Sequence, residues 1–144
     1  MLRTLLVASF LCLTVAATAA TPDAVTPDGG RYYGPLVNGR LQGRGRIEWS
    51  NGNYYDGEFK DGLIAGHGRE QFTNGVYEGE FRDGSAWGLG EVRFDDGRVY
   101  RGEFVRGDWH GEGTLETPDG VVYDGTFTKN EFTAGSYTRK DGSR

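Results

Sequence analysis

This 144-residue chain has one cysteine, four prolines and, after its first twenty residues, few leucines or alanines. Each scarcity excludes something. Proline at this level leaves no room for a collagen helix or a polyproline linker. The shortage of alanine and leucine argues against a core of packed helices. The single cysteine, Cys12, falls inside the apolar run Leu5 to Val15. That run is short of the ~20 residues needed to span a bilayer. With Met1-Leu2-Arg3 before it and Ala17-Thr18-Ala19 after it, residues 1–20 read as a secretory signal peptide that takes Cys12 with it. The expected mature chain then has no disulfide, no thiol nucleophile and no cysteine metal site. Basic residues are also in deficit. Without Arg3 there are 15 against 21 acidic ones, a net charge of −6. Such a balance is unsuited to nucleic acid or an anionic membrane surface.

Glycine and aromatic rings are what the chain has in quantity: 25 glycines and 13% aromatics. They are arranged as a repeat. Tyr32, Tyr55, Tyr77, Tyr100 and Tyr123 follow one another at spacings of 23, 22, 23 and 23 residues. Counting each tyrosine as offset zero, glycine returns at offsets 2, 7, 11, 13 and 20 of the first four segments, which places twenty of the 25 glycines. The fifth segment keeps Tyr123, Gly125 and Phe127 but has Asn130 at the turn and Ala134 for the offset-11 glycine. Degraded terminal repeats are common in repeat arrays.

Two turns punctuate each segment. Offsets 6 and 7 read Asn38-Gly39, Asp61-Gly62, Asp83-Gly84, Arg106-Gly107 and Lys129-Asn130, and offsets 19 and 20 read Asn51-Gly52, Asn74-Gly75, Asp96-Gly97 and Asp119-Gly120. Asn-Gly and Asp-Gly favour type I′ turns, whose central residues both need positive φ. The expectation is an all-β, single-layer antiparallel meander with two strands per repeat. Turns centred on offsets 6 and 7 would pair offsets summing to 13, so Tyr77 faces Gly90, Phe81 faces Ala86 and Asp56 faces His67. Strand side chains alternate between faces. One face then carries Tyr, Phe and glycine, and the other is mainly charged. Structural glycines are expected at Gly57, Gly66, Gly68, Gly79, Gly88, Gly90, Gly102, Gly111 and Gly113, and at offsets 11 and 13 flat rings can lie over backbone without a Cβ.

The motif Tyr-x-Gly-x-Phe-x-x-Gly followed by Gly-x-Gly, as in Tyr77 to Gly84 and then Gly88-Leu89-Gly90, resembles the MORN (membrane occupation and recognition nexus) repeat. The likeness runs from about Arg31 to Tyr137. It implies an elongated one-layer antiparallel sheet of 22–23-residue hairpin repeats that serves as an interaction platform, often dimerises and has been linked to lipid. The expected organisation is a signal at 1–20, a linker at 21–30, repeats at 31–137 with four complete and a fifth degenerate, and a polar tail at 138–144.

Catalytic chemistry finds little support. His67 and His110 lie two repeats apart, too far to share an ion. Gly43-Arg44-Gly45 and its copies precede no helix, so they cannot cradle a phosphate. Glu58, Glu80 and Glu103 share offset 3; interrupted by Lys60, Arg82 and Arg101, they read as a solvated face before they read as a docking track or a weak cation surface. A carboxylate-pair hydrolase would need a pocket that one layer does not offer. No enzyme, cofactor or metal is expected. The aromatic face of Tyr55, Phe59, Phe72, Tyr77, Phe81, Phe94, Tyr100 and Phe104 is the expected docking surface, because rings uncovered by their own chain mark association. Its partner is expected to be a protein or a second copy, with lipid or glycan as the alternative. The expected location is outside the cytoplasm, in the periplasm or else secreted.

Overall fold

The computed structural model describes residues 20–139 and 141–143. The signal expected at 1–20, with Cys12, therefore lies outside the described residues save for Ala20. Thirteen strands follow in order: β1 (Ala24–Val25), β2 (Arg31–Tyr33), β3 (Leu36–Val37), β4 (Arg40–Leu41), β5 (Gly43–Glu48), β6 (Tyr54–Lys60), β7 (Leu63–Phe72), β8 (Gly75–Arg82), β9 (Ser85–Phe94), β10 (Val99–Val105), β11 (Asp108–Glu116), β12 (Val122–Thr128) and β13 (Glu131–Thr138). Eleven form one antiparallel sheet in the order β1-β2-β5-β6-β7-β8-β9-β10-β11-β12-β13, and β3 and β4 make a separate small hairpin around Asn38-Gly39. Each strand of the large sheet pairs with its neighbour in sequence, apart from the detour through that hairpin. No helix occurs among the described residues.

The two turn families differ. At offset 6, Asn38, Asp61, Asp83, Arg106 and Lys129 all have φ between 49° and 52°, as type I′ turns require. Even arginine and lysine are held there. The second family departs from expectation. Trp49 N–H donates to Asn53 O at 3.0 Å and Gly52 N–H donates to Trp49 O at 3.1 Å; Phe94 and Gly97, and Thr117 and Gly120, repeat the arrangement. These are three-residue loops, a type I turn closed by a left-handed glycine. Asn51 and Asp96 side chains accept the backbone N–H two residues on, each at 3.0 Å. Around Asn74 the loop is shorter: Gly75 already belongs to β8 and pairs with Phe72.

Residues 21–30 are not a linker. Thr26-Pro27-Asp28-Gly29 repeats the sequence of Thr117-Pro118-Asp119-Gly120 and makes the same loop, with Thr26 N–H on Gly30 O at 2.8 Å. This loop folds β1 back onto β2, so Ala24 pairs with Tyr32. The Trp49 indole N–H donates to Asp28 Oδ2 at 3.0 Å and anchors the loop. At the other end Arg139 N–H donates to Ser143 O at 2.9 Å, so part of the polar tail also turns in this manner.

Register follows the expectation near each offset-6 turn and then departs, by two residues in the first four repeats and by one in the fifth. Phe81 pairs with Ala86 as expected, but Tyr77 pairs with Val92 and Gly79 with Gly90. A wide bulge in β9 adds two residues opposite Glu80, and β7 and β11 carry the same bulge. A shift of two leaves the faces unchanged. It does change every pair beyond the bulge: Asp56 faces Arg69 rather than His67, and Arg101 faces Thr114.

The bulge divides the expected glycines into two kinds. Gly45, Gly57, Gly68, Gly79, Gly90, Gly102, Gly113, Gly125 and Gly135 pair in succession and form one seam across the sheet. Tyrosine rings cover it from Gly45 to Gly113. A Cβ on Gly113 would come within 2.7 Å of the Tyr100 ring. Gly66, Gly88 and Gly111 lie under no ring, contrary to expectation. They are bulge residues at φ +66°, +73° and +109°.

Candidate interaction surface

A one-layer sheet has no second layer to bury its apolar side, yet Tyr32, Tyr55 and Tyr100 are fully buried. Tyr55, Tyr77 and Tyr100 lie on the glycine seam, each covered by its own repeat's phenylalanine and by the next one's, whereas Tyr32, whose own repeat has Leu36, is covered by Phe59. Tyr77 meets Phe81 at 5.0 Å and Phe104 at 4.9 Å, both edge to face; Tyr55 meets Phe59 and Phe81 in the same way at 5.2 and 5.1 Å. Each such pair contributes roughly 0.5–1.5 kcal/mol beyond area burial. Trp109 stacks on Tyr100 at 4.5 Å and 9°. The hydroxyls reach the carbonyls three residues on, Tyr55 to Glu58, Tyr77 to Glu80 and Tyr100 to Glu103, at 2.9–3.0 Å. Burial pushes the Tyr55 and Tyr100 phenols up to about 12 and raises Tyr77 likewise.

The expected docking aromatics therefore separate. Tyr55, Phe59, Tyr77, Phe81, Tyr100 and Phe104 are the core of the sheet, at most 5% exposed, and present no more than an edge to a partner. The cause is the ring-on-glycine packing, which lets the chain cover its own apolar face. Phe72 and Phe94 are only half-buried. They meet edge to face at 6.1 Å, and Trp109 lies 6.0 Å from Phe94. With Ala86, Arg98, Glu70 and the edge of Tyr77 they line a groove of about 570 Å³. Trp109 was absent from the expected set, although Leu41, Ile64 and Phe132 at the same offset signal an inward position.

On the opposite face a trough of about 800 Å³ is lined by charged side chains of β5 to β9. Its floor is the cross-strand row Arg46, Asp56, Arg69, Glu78 and Glu91, which continues beyond it to Arg101. Arg69 pairs with Glu78 at 3.1 Å and Arg46 with Asp56 at 3.6 Å. Glu78 and Glu91 face each other directly, and Arg93 and Arg101 both hold Glu91. The offset-3 carboxylates fold onto the bulges. Glu58 accepts His67 N–H at 3.3 Å, and Glu80 accepts Leu89 N–H at 3.4 Å. These glutamates satisfy bulge amides that the ladder leaves unpaired. His67 lines the trough, and no cluster of three or more metal-binding side chains occurs among the described residues.

Neither surface gathers a nucleophile, a base and an orienting group. The architecture offers instead a one-layer platform with an aromatic groove on one face and a charge-paired trough on the other. Comparison with known families agrees with that geometry. A family model of the MORN repeat matches residues 32–54, 55–76, 77–97 and 100–122, consecutive and in phase with the tyrosines. MORN repeats are commonly protein or membrane interaction modules. With more than half of its residues matched, the chain belongs to the MORN repeat family.

Proposed function

We propose that the chain is an exported, non-enzymatic interaction module that docks a protein partner, or a second copy of itself, through the groove of the aromatic face. The groove carries this reading. It is where the ring array opens, with Phe72 and Phe94 partly uncovered beside Trp109, and half-exposed aromatics at the centre of an apolar patch supply much of an interface's energy. Export rests on the basic start and short apolar run of residues 1–20, with the periplasm the preferred destination. The absence of catalysis rests on charged-face carboxylates that are engaged with arginines or bulge amides.

The test is capture of partners from the native envelope, with light scattering to score self-association. Phe72→Ala with Phe94→Ala is compared with Arg69→Ala with Glu78→Ala, each shown by circular dichroism to be folded. Loss of the partner or of the dimer in the first variant and retention in the second is expected. The reverse outcome moves the docking surface to the charged trough. Equal capture by both variants removes docking from either face. Binding of liposomes or glycans without protein replaces the partner with the lipid or glycan alternative.

A further inference from the structure

The row that carries the tyrosines alternates ring and aliphatic side chain across the sheet: Tyr32, Ile47, Tyr55, Glu70, Tyr77, Val92, Tyr100, Leu115, Tyr123. Glu70 is the one charged member. It sits half-buried between Tyr55 and Tyr77, where Ile47 and Val92 are core residues. Among the described residues no hydrogen bond or ion pair reaches its carboxylate, and the flanking hydroxyls are committed to Glu58 O and Glu80 O. Burial raises its carboxyl above the usual range. A carboxylate in such surroundings costs stability unless something pairs with it.

A second departure from the repeat lies in the same groove. Offset 9 holds Leu41, Ile64, Trp109 and Phe132 in the other repeats but Ala86 in the third, and the missing side chain leaves a hollow. Phe72, Phe94 and Trp109 wall it. The only other charged side chain lining it is Arg98, whose Nε is 2.8 Å from Asp96 and whose guanidinium sits 4.7 Å above the Phe94 ring. One wall thus already holds a guanidinium against its π-face.

We propose that this groove receives one basic side chain of a partner polypeptide, an arginine or lysine, whose cation pairs with Glu70 while its methylene stem lies along Phe72, Phe94 and Trp109. The proposal rests on the platform reading above and names the chemistry recognised. Three observations favour a basic side chain over an apolar one: an unpaired carboxylate facing the hollow, aromatic walls that attract cations, and an acidic chain overall. A groove of about 570 Å³ is also roomier than one ammonium head needs, which suits a cation on a long stem.

The test uses the full chain at low ionic strength and N-acetyl-arginine amide as probe, read by calorimetry and by the Trp109 indole N–H resonance. N-acetyl-citrulline amide, of the same shape without the charge, is the comparison, and choline is a third arm. Saturable binding of the arginine probe is expected, weakened about tenfold for citrulline and again for Glu70→Gln. Glu70→Gln keeps the side-chain shape and removes the charge, so its melting temperature should be unchanged or higher. Ala86→Leu, which restores the side chain of the first repeat, should fill the hollow and abolish binding. Equal affinity for arginine and citrulline, no effect of Glu70→Gln, or no saturable binding to the folded wild type would overturn the proposal. So would choline binding more tightly than arginine, since the site would then be one for small quaternary ammonium. If Glu70→Gln still captures the native partner while Phe72→Ala with Phe94→Ala does not, the recognition chemistry is wrong and the docking surface stands. If neither variant affects capture, the docking surface fails as well.

Discussion

The fourth and fifth repeats begin with the same tyrosine, glycine and phenylalanine, yet Tyr100 is fully buried and Tyr123 only half-buried. Tyr100 has Trp109 stacked on it, Phe104 beside it and Phe127 of the following repeat at 5.0 Å. Among the described rings Tyr123 meets Phe132 and Tyr137 of its own hairpin, at 5.3 and 6.0 Å, and no others. The bulge differs too. In the fourth repeat two residues are added around Gly111 at φ +109°, whereas in the fifth Ala134 replaces that glycine and one residue is added. Burial in a one-layer sheet is thus supplied by the next repeat, as nearest-neighbour coupling in solenoids requires. It is not a property of the Tyr-Gly-Phe motif itself.

The largest test of this comparison is a pair of truncations. Phe104→Ala removes a ring packed on both Tyr77 and Tyr100, and should cost about 3–5 kcal/mol, the usual range for a buried phenylalanine. Phe132→Ala, at the half-exposed end, should cost well under half of that. Urea midpoints at constant m-value measure both. Equal losses would show that the next repeat contributes nothing special.

Smaller losses should follow from the seam. Gly90→Val places a branched Cβ under the Tyr77 ring and should cost about 1–3 kcal/mol, while Arg93→Val on the opposite face should stay within about 0.5 kcal/mol. Equal melting temperatures would contradict the ring-on-glycine packing. The bulge can be probed in both directions. Gly111→Ala puts a Cβ on left-handed backbone and against the Glu103 carboxylate, for a loss of about 1–2 kcal/mol. Ala134→Gly should change stability little, because the one-residue bulge there already accommodates alanine. A marked gain would mean that the missing glycine alone degrades the last repeat.

The sequence made legible what depends on period and local turn chemistry: the repeat, its two faces, and the positive φ at Asp83 and even at Arg106. Hidden from it was whatever depends on a bulge. The glycines at offsets 11 and 13 look equivalent in sequence, and only the two-residue insertion opposite Glu80 separates Gly88 from Gly90. The aromatic face was visible, but its burial was not, because covering Tyr77 takes Phe104, 27 residues further along the chain. Glu70 is legible as a charge where the other repeats have Ile47, Val92 and Leu115. What could not be read was that Ala86, Phe94 and Trp109 from later strands surround the same space.

Glu70 gives the next smaller effect, and its sign is fixed. Burial raises its folded-state pKa, so the folded state binds the proton more tightly than the unfolded chain. That contribution is complete below the ordinary glutamate range and is lost as pH rises through the raised value. The stability of wild type relative to Glu70→Gln should therefore fall with rising pH across that window and level off above it. Taking the difference cancels the other carboxylates. A difference that rises with pH would mean that the carboxylate has found a cation within the fold.

The smallest effect belongs to the charged face. Arg69 sits opposite both Asp56 and Glu78, is half-exposed and holds Glu78 at 3.1 Å. Exposed pairs of this kind contribute about 0.2–1 kcal/mol and are screened by salt. Arg69→Ala should therefore cost no more than about 0.5 kcal/mol at low salt, and the cost should shrink further at high salt. Glu78 and Glu91 face each other across β8 and β9, however, and removing Arg69 leaves Glu78 with one cation fewer beside a like charge. If the ladder acts as a unit, adding Glu78→Gln to Arg69→Ala should restore the loss in a double-mutant cycle. If Arg69→Ala costs several kcal/mol and salt does not change it, the charged face is holding the sheet together as the rings do, and the division between a packed face and a solvated face fails.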